Sequence, residues 1–208
     1  MDRHSHPRPF YLSTRARIAV AIAVTILVLD QITKFLVVKH LTNAMAGEPG
    51  FGEQVRLFLT THHPVREGRT IVSESFWSFV YAENPGAAWS FLRDAPEWFR
   101  TPFFLLVSVA AMIFIVVYFR RTEGQQRGLR LALALVFGGA LGNFFDRVRL
   151  GYVIDFIDWH WFSRFTWPTF NVADSAITVG VVIMAADMLF HKPRERTKVA
   201  AESRAPSR

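Results

Sequence analysis

Four long runs of apolar residues alternate with polar and charged segments along this chain of 208 residues. The runs span residues 18–38, 102–119, 129–145 and 172–190. A bilayer core of roughly 30 Å is crossed by about 20 residues of α-helix, so each run has close to the length of a membrane span. A soluble core would instead spread its apolar residues at a period of about two or about 3.6. The pattern predicts four transmembrane helices.

The segments between the runs carry a second, weaker pattern. Residues 39–101 and 146–171 contain all six tryptophans, as an interfacial aromatic belt would. Apolar and aromatic residues at 57–59, 71–72 and 76–81 predict short β-strands. We therefore predict an all-α membrane fold of four transmembrane helices, with a small β-sheet-containing surface segment on the outer side.

The distribution of Lys and Arg predicts how the helices are oriented. Basic residues concentrate before the first run, between the second and third runs, and after the fourth run. Short basic flanks stay on the cytoplasmic side, so both termini are expected there, and residues 39–101 and 146–171 outside. The net charge of +7 therefore reflects topology and does not indicate nucleic-acid binding. Residues 1–190 are expected to form one domain, and residues 191–208 a polar cytoplasmic tail.

Aspartates occur at the outer ends of three predicted helices and in the last outer segment. Asp30 lies about 18 Å along the first helix, at about 1.5 Å per residue. Asp146 ends the third helix, Asp155 follows in an apolar stretch, and Asp174 begins the fourth helix. Acidic residues near a bilayer core are expensive to bury and by default mark a functional site. We expect the four aspartates to converge in one layer near the outer membrane face.

Some of these aspartates have a structural alternative in a neighbouring cation. Asp30 and Lys34 share one helical face and could form a neutralising pair. Asp146 and Arg147 could form an interfacial salt bridge, with Arg147 reaching towards the headgroups. Asp155 has no basic neighbour within two positions and lies in no obvious helix cap. A structural role therefore explains Asp155 least well.

Two further motifs also fit structural roles. Asn171 could cap the fourth helix, with Asp174 three residues later favouring the helix dipole. The glycines of Gly138-x-x-x-Gly142 are expected to allow close packing of helices. The glycines are therefore interpreted as a packing motif. For Asp174, both a structural role at the helix start and a functional role stay open.

A pair of carboxylates in a semi-apolar site can perform hydrolysis without further machinery. Like charges at close range cannot both ionise, so one pKa rises and the pair holds a shared proton. The ionised member can take a proton from water. The protonated member can polarise a scissile carbonyl and later protonate the leaving amine.

Other catalytic machinery is missing from the chain. Cysteine is absent, and no H-E-x-x-H, G-x-S-x-G or Walker motif occurs. Asp158 and His160 could join Asp155 at a metal, but no further His or Cys stands at ligand spacing. No metal and no cofactor is predicted.

Four motifs occur in an order and spacing that a known family shares. They are Asp-Gln-Ile-Thr-Lys at 30–34, Asn-Pro-Gly-Ala-Ala-Trp-Ser at 84–90, Gly-Gly-Ala-Leu-Gly-Asn-Phe-Phe-Asp-Arg at 138–147 leading into Gly-Tyr-Val-Ile-Asp-Phe at 151–156, and Phe-Asn-Val-Ala-Asp-Ser-Ala-Ile at 170–177. The chain resembles the lipoprotein signal peptidases, the bacterial signal peptidase II family, and the match spans all four predicted helices.

The resemblance implies an aspartic endopeptidase of the bacterial cytoplasmic membrane. Such an enzyme cuts the signal peptide from a prolipoprotein just before a diacylglyceryl-modified cysteine. The resemblance makes Asp155 and Asp174 the catalytic pair, and places Asp30, Lys34 and Asp146 at positions that support the site. Polar residues that bind the substrate backbone or hold the pair would be Asn84, Gly86, Asn143, Arg147 and Asn171.

The expected partners follow from the same resemblance. They are diacylglyceryl-modified prolipoproteins, membrane lipids and inhibitors of the globomycin type, without nucleic acid, and we expect a monomer. Two departures from the family pattern stand out, namely additional residues around 50–69 and Trp89 where Phe is usual. Both could alter substrate entry or choice.

Two rival functions fit parts of the pattern. A small proton-coupled transporter or channel subunit would spread acidic residues through the membrane depth, whereas here only Asp187 lies near the inner end. A noncatalytic scaffold that uses the acid–base pairs as structural links would leave Asp155 unexplained. The sequence therefore favours the peptidase.

Overall fold

The computed structural model describes residues 12–48, 50–62, 68–86, 92, 94–122, 126–162 and 164–190. The expected cytoplasmic tail and Trp89 of the second motif lie outside the described residues. Within this part of the chain the elements follow in the order α1 (Thr14–Leu41), α2 (Phe51–Thr60), β1 (Arg69–Ser73), β2 (Trp77–Asn84), α3 (Glu97–Arg121), α4 (Arg127–Leu150), β3 (Val153–Trp161), β4 (Phe165–Thr166) and α5 (Val172–Phe190).

Four of the described helices, α1, α3, α4 and α5, are long and apolar enough to cross a membrane. The predicted spans are therefore present, although α1, α3 and α4 extend beyond the apolar runs at both ends because polar residues continue each helix. Large apolar side chains on their outer faces stay exposed, for example Leu106 and Val182. A surrounding bilayer would cover such faces.

The strands β1 to β4 form one antiparallel sheet in sequence order. The predicted strands at 71–72 and 76–81 fall on β1 and β2. β2 pairs with β3 so that Ala82 stands opposite Asp155. The sequence pattern did not predict β3, because its first residues are buried on both faces and show no alternation.

The predicted strand at 57–59 is wrong, because these residues belong to α2. Gln54 and Phe58 are the buried residues of α2, and their spacing of four places them on one helical face. A short apolar run does not by itself distinguish a strand from a helix. The spacing of four between the buried residues fits a helix, whereas a strand with one buried face would show a spacing of two.

α4 packs against each of the other three membrane helices. A Cβ atom on Gly138 would lie 2.8 Å from a backbone oxygen of α1, and one on Gly142 would lie 2.7 Å from the Asp30 carboxylate. A Cβ on Gly139 would meet the backbone oxygen of Ala173 in α5 at a still shorter distance. The predicted packing role of Gly138 and Gly142 is therefore confirmed.

A hydrophobic core joins the sheet to one end of the helix bundle. It contains residues of α1, α2, α4, β2 and β3, among them Val38, Leu41, Phe58, Tyr81, Leu150, Ile154 and Phe156. β3 therefore lies against the ends of the membrane helices. This contact brings Asp155 close to the start of α5.

Candidate active site

Asp155 and Asp174 come from different elements and are held by the same asparagines. Asp155, on β3, is 1% exposed, whereas Asp174, in the first turn of α5, is half-buried. The oxygens of Asp155 accept hydrogen bonds from Asn171 Nδ2 at 2.7 Å and Asn84 Nδ2 at 2.9 Å. Those of Asp174 accept from Asn143 Nδ2 at 2.7 Å and the Asn171 backbone N–H at 3.2 Å. Each of the four carboxylate oxygens therefore has a donor.

Asn171 links the two carboxylates. Besides donating to both, it accepts a hydrogen bond at its Oδ1 from the backbone N–H of Asp174 at 2.9 Å. This reciprocal pair of bonds between Asn171 and Asp174 is a helix capping arrangement. The cap role predicted for Asn171 is confirmed, and the same side chain also contacts Asp155.

The other two amides are oriented by what their oxygens accept. Asn84 Oδ1 accepts from the backbone N–H of Gly86 at 3.2 Å. Asn143 Oδ1 accepts from Lys34 Nζ at 3.3 Å and from Asn171 Nδ2 at 3.1 Å. Because the oxygen of each amide is used in this way, its NH₂ group faces the carboxylates.

A buried charge cluster lies behind the aspartate pair. Lys34 Nζ is 2.8 Å from Asp30 Oδ2 and 2.7 Å from Asp146 Oδ2, and all three side chains are fully buried. Arg149 Nη2 lies 3.4 Å from the second oxygen of Asp146, so two cations balance two anions. The Asp30–Lys34 pair expected from the sequence is present. Buried ion pairs are tolerated only when their remaining hydrogen-bonding groups are satisfied, and Lys34 has three acceptors.

The two anions of this cluster anchor the backbone next to the aspartate pair. Asp30 Oδ1 accepts from the backbone N–H of Ala173 at 3.0 Å, one residue before Asp174. Asp146 Oδ2 accepts from the backbone N–H of Ile154 at 3.2 Å, one residue before Asp155. The buried cluster therefore ties the start of α5 and the start of β3 to the same lysine.

Arg147 does not pair with Asp146, contrary to the salt bridge considered from the sequence. Its Nη2 donates to the backbone oxygen of Gly86 at 2.9 Å, and its guanidinium lies 5.1 Å from the centre of the Phe104 ring. Adjacent residues of a helix point in different directions, whereas residues three apart share a face. Asp146 therefore pairs with Arg149, and Arg147 holds the segment that follows β2.

Burial raises the pKa of Asp155 to about 8, and the negative charge of Asp174 contributes to the rise. Hydrogen bonds from Asn84 and Asn171 oppose this rise. Among the described residues, neither Asp155 nor Asp174 forms an ion pair with a Lys or Arg. Asp155 is therefore able to hold a proton at neutral pH.

The ten site residues proposed from the sequence form one connected network of hydrogen bonds and ion pairs. Sequence reasoning missed two members of this network. Gln31 Nε2 lies 3.1 Å from Asp30 Oδ2 and 3.1 Å from Asp146 Oδ1, and Arg149 pairs with Asp146. The available signals were the place of Gln31 in the first motif and the spacing of three between Asp146 and Arg149.

The metal alternative places its residues elsewhere. Asp158 Oδ2 pairs with Arg69 Nη2 at 2.6 Å, and His160 Nδ1 lies 3.4 Å from the same oxygen. In the described part of the chain, no three His, Asp or Glu side chains group as metal ligands. Asp158 stands three positions after Asp155, and such an odd offset puts the two side chains on opposite faces of β3.

Comparison with known proteins gives related sequences over most of the chain. The sequence model of the family described as Signal peptidase (SPase) II matches residues 22–190. A lipoprotein signal peptidase of Anaeromyxobacter sp. is 44% identical over 183 residues, which cover 85% of this chain and 85% of that protein. A lipoprotein signal peptidase of Geobacter sulfurreducens is 52% identical over 124 residues, 60% of this chain and 76% of that protein.

Solved structures have the same fold. A bacterial membrane enzyme determined by the in meso method at 2.3 Å resolution superposes with a TM-score of 0.64 and 28% identity. The superposition covers 88% of this chain and 95% of that chain. A second such structure, at 1.9 Å resolution, has a TM-score of 0.63 and 28% identity over 85% of this chain and 95% of that chain.

Proposed function

The chain belongs to the signal peptidase II family, and from this premise we propose that it is an aspartic endopeptidase. Its substrates would be diacylglyceryl-modified prolipoproteins, cut just before the lipidated cysteine. Lipoprotein signal peptidases are bacterial membrane proteases, and the four apolar helices agree with an inner-membrane location. The transporter and scaffold alternatives are not retained. No cofactor is part of the proposal.

The observation that carries the proposal is the shared set of donors around Asp155 and Asp174. One asparagine, Asn171, donates to both carboxylates, and each carboxylate receives one further amide NH₂. The two carboxylates are therefore held by one connected set of amide donors. Two carboxyl groups in such an arrangement can share one proton.

The exposure of the two groups supports different roles for them in the proposed reaction. Asp155 is buried, and its pKa is raised to about 8, so we propose that it carries the proton. Asp174 is half-buried and would take a proton from the attacking water. The water oxygen would add to the scissile carbonyl carbon while Asp155 donates a hydrogen bond to the carbonyl oxygen. The C–N bond would then break as a proton passes to the leaving amine.

The remaining polar residues would hold the substrate or the pair. Asn84 and Asn143 each have an amide that can bind an extended peptide backbone when the substrate enters. Arg147 keeps the Gly86 carbonyl in place, next to Asn84. Asp30, Lys34 and Asp146 would act as the support of the site, because they hold the backbone beside each catalytic carboxylate.

The membrane position of the site suits such a substrate. The signal helix and the lipid chains of a prolipoprotein stay in the bilayer, so its scissile bond lies near a membrane face. Asp30 lies about 18 Å along α1 from Ile18, at about 1.5 Å per residue, which supports a position of the pair beyond the midplane. We propose that this end faces the outer side and that both termini are cytoplasmic. We also propose that the enzyme works as a monomer and that inhibitors of the globomycin type bind it.

Replacement of either catalytic carboxylate tests the proposal. Asp155→Asn and Asp174→Asn are expected to lower cleavage of a lipidated precursor by at least about 10²-fold, since general acid–base groups contribute about that much. Cleavage is followed by the gel shift of the precursor with purified enzyme in detergent. Asp158→Asn is the matched control, because it also removes a carboxylate from β3. The carboxylate of Asp158 pairs with Arg69 and does not contact the aspartate pair. Wild-type rates in both single variants, with Asp158→Asn also unchanged, would contradict the aspartic mechanism.

A further inference from the structure

A groove lies between α1 and α4 at the end of the bundle opposite the aspartate pair. It encloses about 450 Å³. Its lining consists of Arg15, Ile18, Ala19, Ile22, Arg127, Arg130 and Leu131. The groove is not part of the proposed active site, because Arg15 is about 22 Å from Asp30 along α1.

The described residues that line the groove carry charge of one sign. Three of them are arginines and none of them is acidic. Arg15 and Arg127 are exposed, and Arg130 is half-buried. Asp187 approaches the same end of α4, 3.9 Å from where a Cβ of Gly128 would lie, but it does not line the groove. Since α1 and α4 both begin here, their dipoles add positive potential at the rim.

The floor of the groove is apolar and opens towards the lipid. Ile18 and Leu131 are 57% and 42% exposed, and both belong to helices that can cross a membrane. The arginines lie in the first turn of each helix, at the end of the span. An occupant that fits must therefore present an anionic group at the membrane boundary and an apolar chain below it.

We propose that this groove is a binding site for an anionic phospholipid. The phosphate would bind Arg15 and Arg127 with the support of Arg130, and one acyl chain would lie against Ile18 and Leu131. Basic pockets between transmembrane helices bind anionic headgroups by this combination of charge and apolar contact. A zwitterionic lipid carries its own ammonium group, which compensates its phosphate and leaves the arginines without net complementarity.

The experiment compares phosphatidylglycerol with phosphatidylcholine on the purified full-length protein. Native mass spectrometry measures the association constant of each lipid, and the ratio of the two is the readout. In the proposed site, each guanidinium that contacts the bound phosphate is expected to contribute about a fivefold preference for an anionic lipid. Arg15→Gln/Arg127→Gln is therefore expected to reduce the ratio by about 25-fold.

The control removes the same charge from the same end of the bundle. Arg17→Gln/Arg121→Gln changes two exposed arginines that do not line the groove, and it is expected to keep the wild-type ratio. If the groove variant does not fold, Arg15→Gln and Arg127→Gln alone should each reduce the ratio by about fivefold. An equal loss in groove and control variants would mean a general surface potential and would overturn the proposal. So would a wild-type protein without preference for phosphatidylglycerol.

Discussion

At the scale of single residues, asparagine is the side chain that makes the aspartate pair possible. Asn84, Asn143 and Asn171 donate through their NH₂ groups, and their oxygens are occupied by other donors. A lysine or arginine in the same place would neutralise a carboxylate and lower its pKa. Neutral amide donors fix the position of the carboxylates without compensating their charge. The pair therefore keeps the repulsion that adds to burial in raising the pKa of Asp155.

The proton on Asp155 predicts how stability depends on pH. The folded protein keeps this proton up to about pH 8, whereas the unfolded chain loses it near its ordinary pKa of 3.8. Between these values the folded state binds more protons, so the free energy of unfolding falls as pH rises from about 4 to about 8. Asp155→Asn should reduce this slope, measured as the unfolding temperature in detergent across the window.

The control for this slope is Glu74→Gln, which removes an exposed carboxylate from the turn between β1 and β2, leaves Asp155 in place and should keep the wild-type dependence. Both substitutions remove one carboxylate, so an effect of net charge alone would appear in both. An Asp155→Asn protein with an unchanged slope would mean that Asp155 does not hold the proton.

At the scale of elements, the position of α5 depends on how closely it approaches α4. Gly139 faces the backbone of Ala173, and a Cβ on Gly180 of α5 would lie 2.8 Å from the backbone oxygen of Ala132 in α4. Small residues on both helices therefore set the distance between them. Asp174 follows Ala173 directly, so this distance also places one member of the pair.

Gly139→Ala should consequently damage both stability and cleavage. The new methyl group has no space against Ala173, and such overpacking costs about 1–3 kcal/mol. A displacement of α5 by about 1 Å should lower the cleavage rate by at least about tenfold. Unfolding temperature and precursor cleavage, measured on the same purified sample, check both effects.

The matched control lies on the same helix. A Cβ on Gly128 would have its nearest contact at 3.9 Å, an ordinary van der Waals distance. Gly128→Ala should therefore be tolerated, with little change in unfolding temperature or cleavage. If Gly139→Ala behaves like Gly128→Ala, close contact does not control the position of α5.

The helix α2 connects the additional residues of the outer segment to the buried charge cluster. The Phe58 ring lies 4.1 Å from the Arg149 guanidinium and 5.6 Å from the Phe35 ring. Arg149 also donates to the backbone oxygen of Phe58 and pairs with Asp146. α2 therefore contacts Arg149, which helps to neutralise Asp146, although α2 is far from Asp155 and Asp174 in sequence.

At the scale of the whole molecule, the aspartate pair and a surface of exposed aromatic side chains lie at the same end, next to the sheet. The sheet exposes a group of aromatic side chains beside the helix ends, namely Phe76, Trp159, Trp161, Phe165 and Trp167. Aromatic rings with an apolar body and a polar edge suit the headgroup region of a bilayer. The opposite end carries the arginines of the α1–α4 groove. The two ends thus match the two faces of a membrane.

The orientation of the molecule can be tested because the chain contains no cysteine. A single Glu74→Cys in the exposed turn between β1 and β2 should react with a membrane-impermeant maleimide in intact spheroplasts. Thr14→Cys, exposed at the start of α1, should react only after permeabilisation. The reverse labelling would place the aspartate pair on the cytoplasmic side.

Much of the architecture could be predicted from the sequence, because membrane spans depend on local composition. A bilayer requires about 20 apolar residues in a row wherever a helix crosses it, whatever the rest of the chain does. The ten residues proposed for the site could be named because they fall in short motifs at helix ends and in the outer segments. The strand β3 and the helix α2 could not be predicted, since their burial depends on contacts with distant elements.

The sequence by itself determined four membrane helices and a set of polar residues grouped at their ends, because hydropathy and helix length are local properties. Only the tertiary structure decided which groups touch. In the folded protein Arg147 donates a hydrogen bond to the Gly86 carbonyl, whereas Arg149 pairs with Asp146. The backbone N–H of Ala173 donates to Asp30, and that of Ile154 donates to Asp146. Such contacts depend on helix rotation and strand register, which are set by packing between segments far apart in the chain.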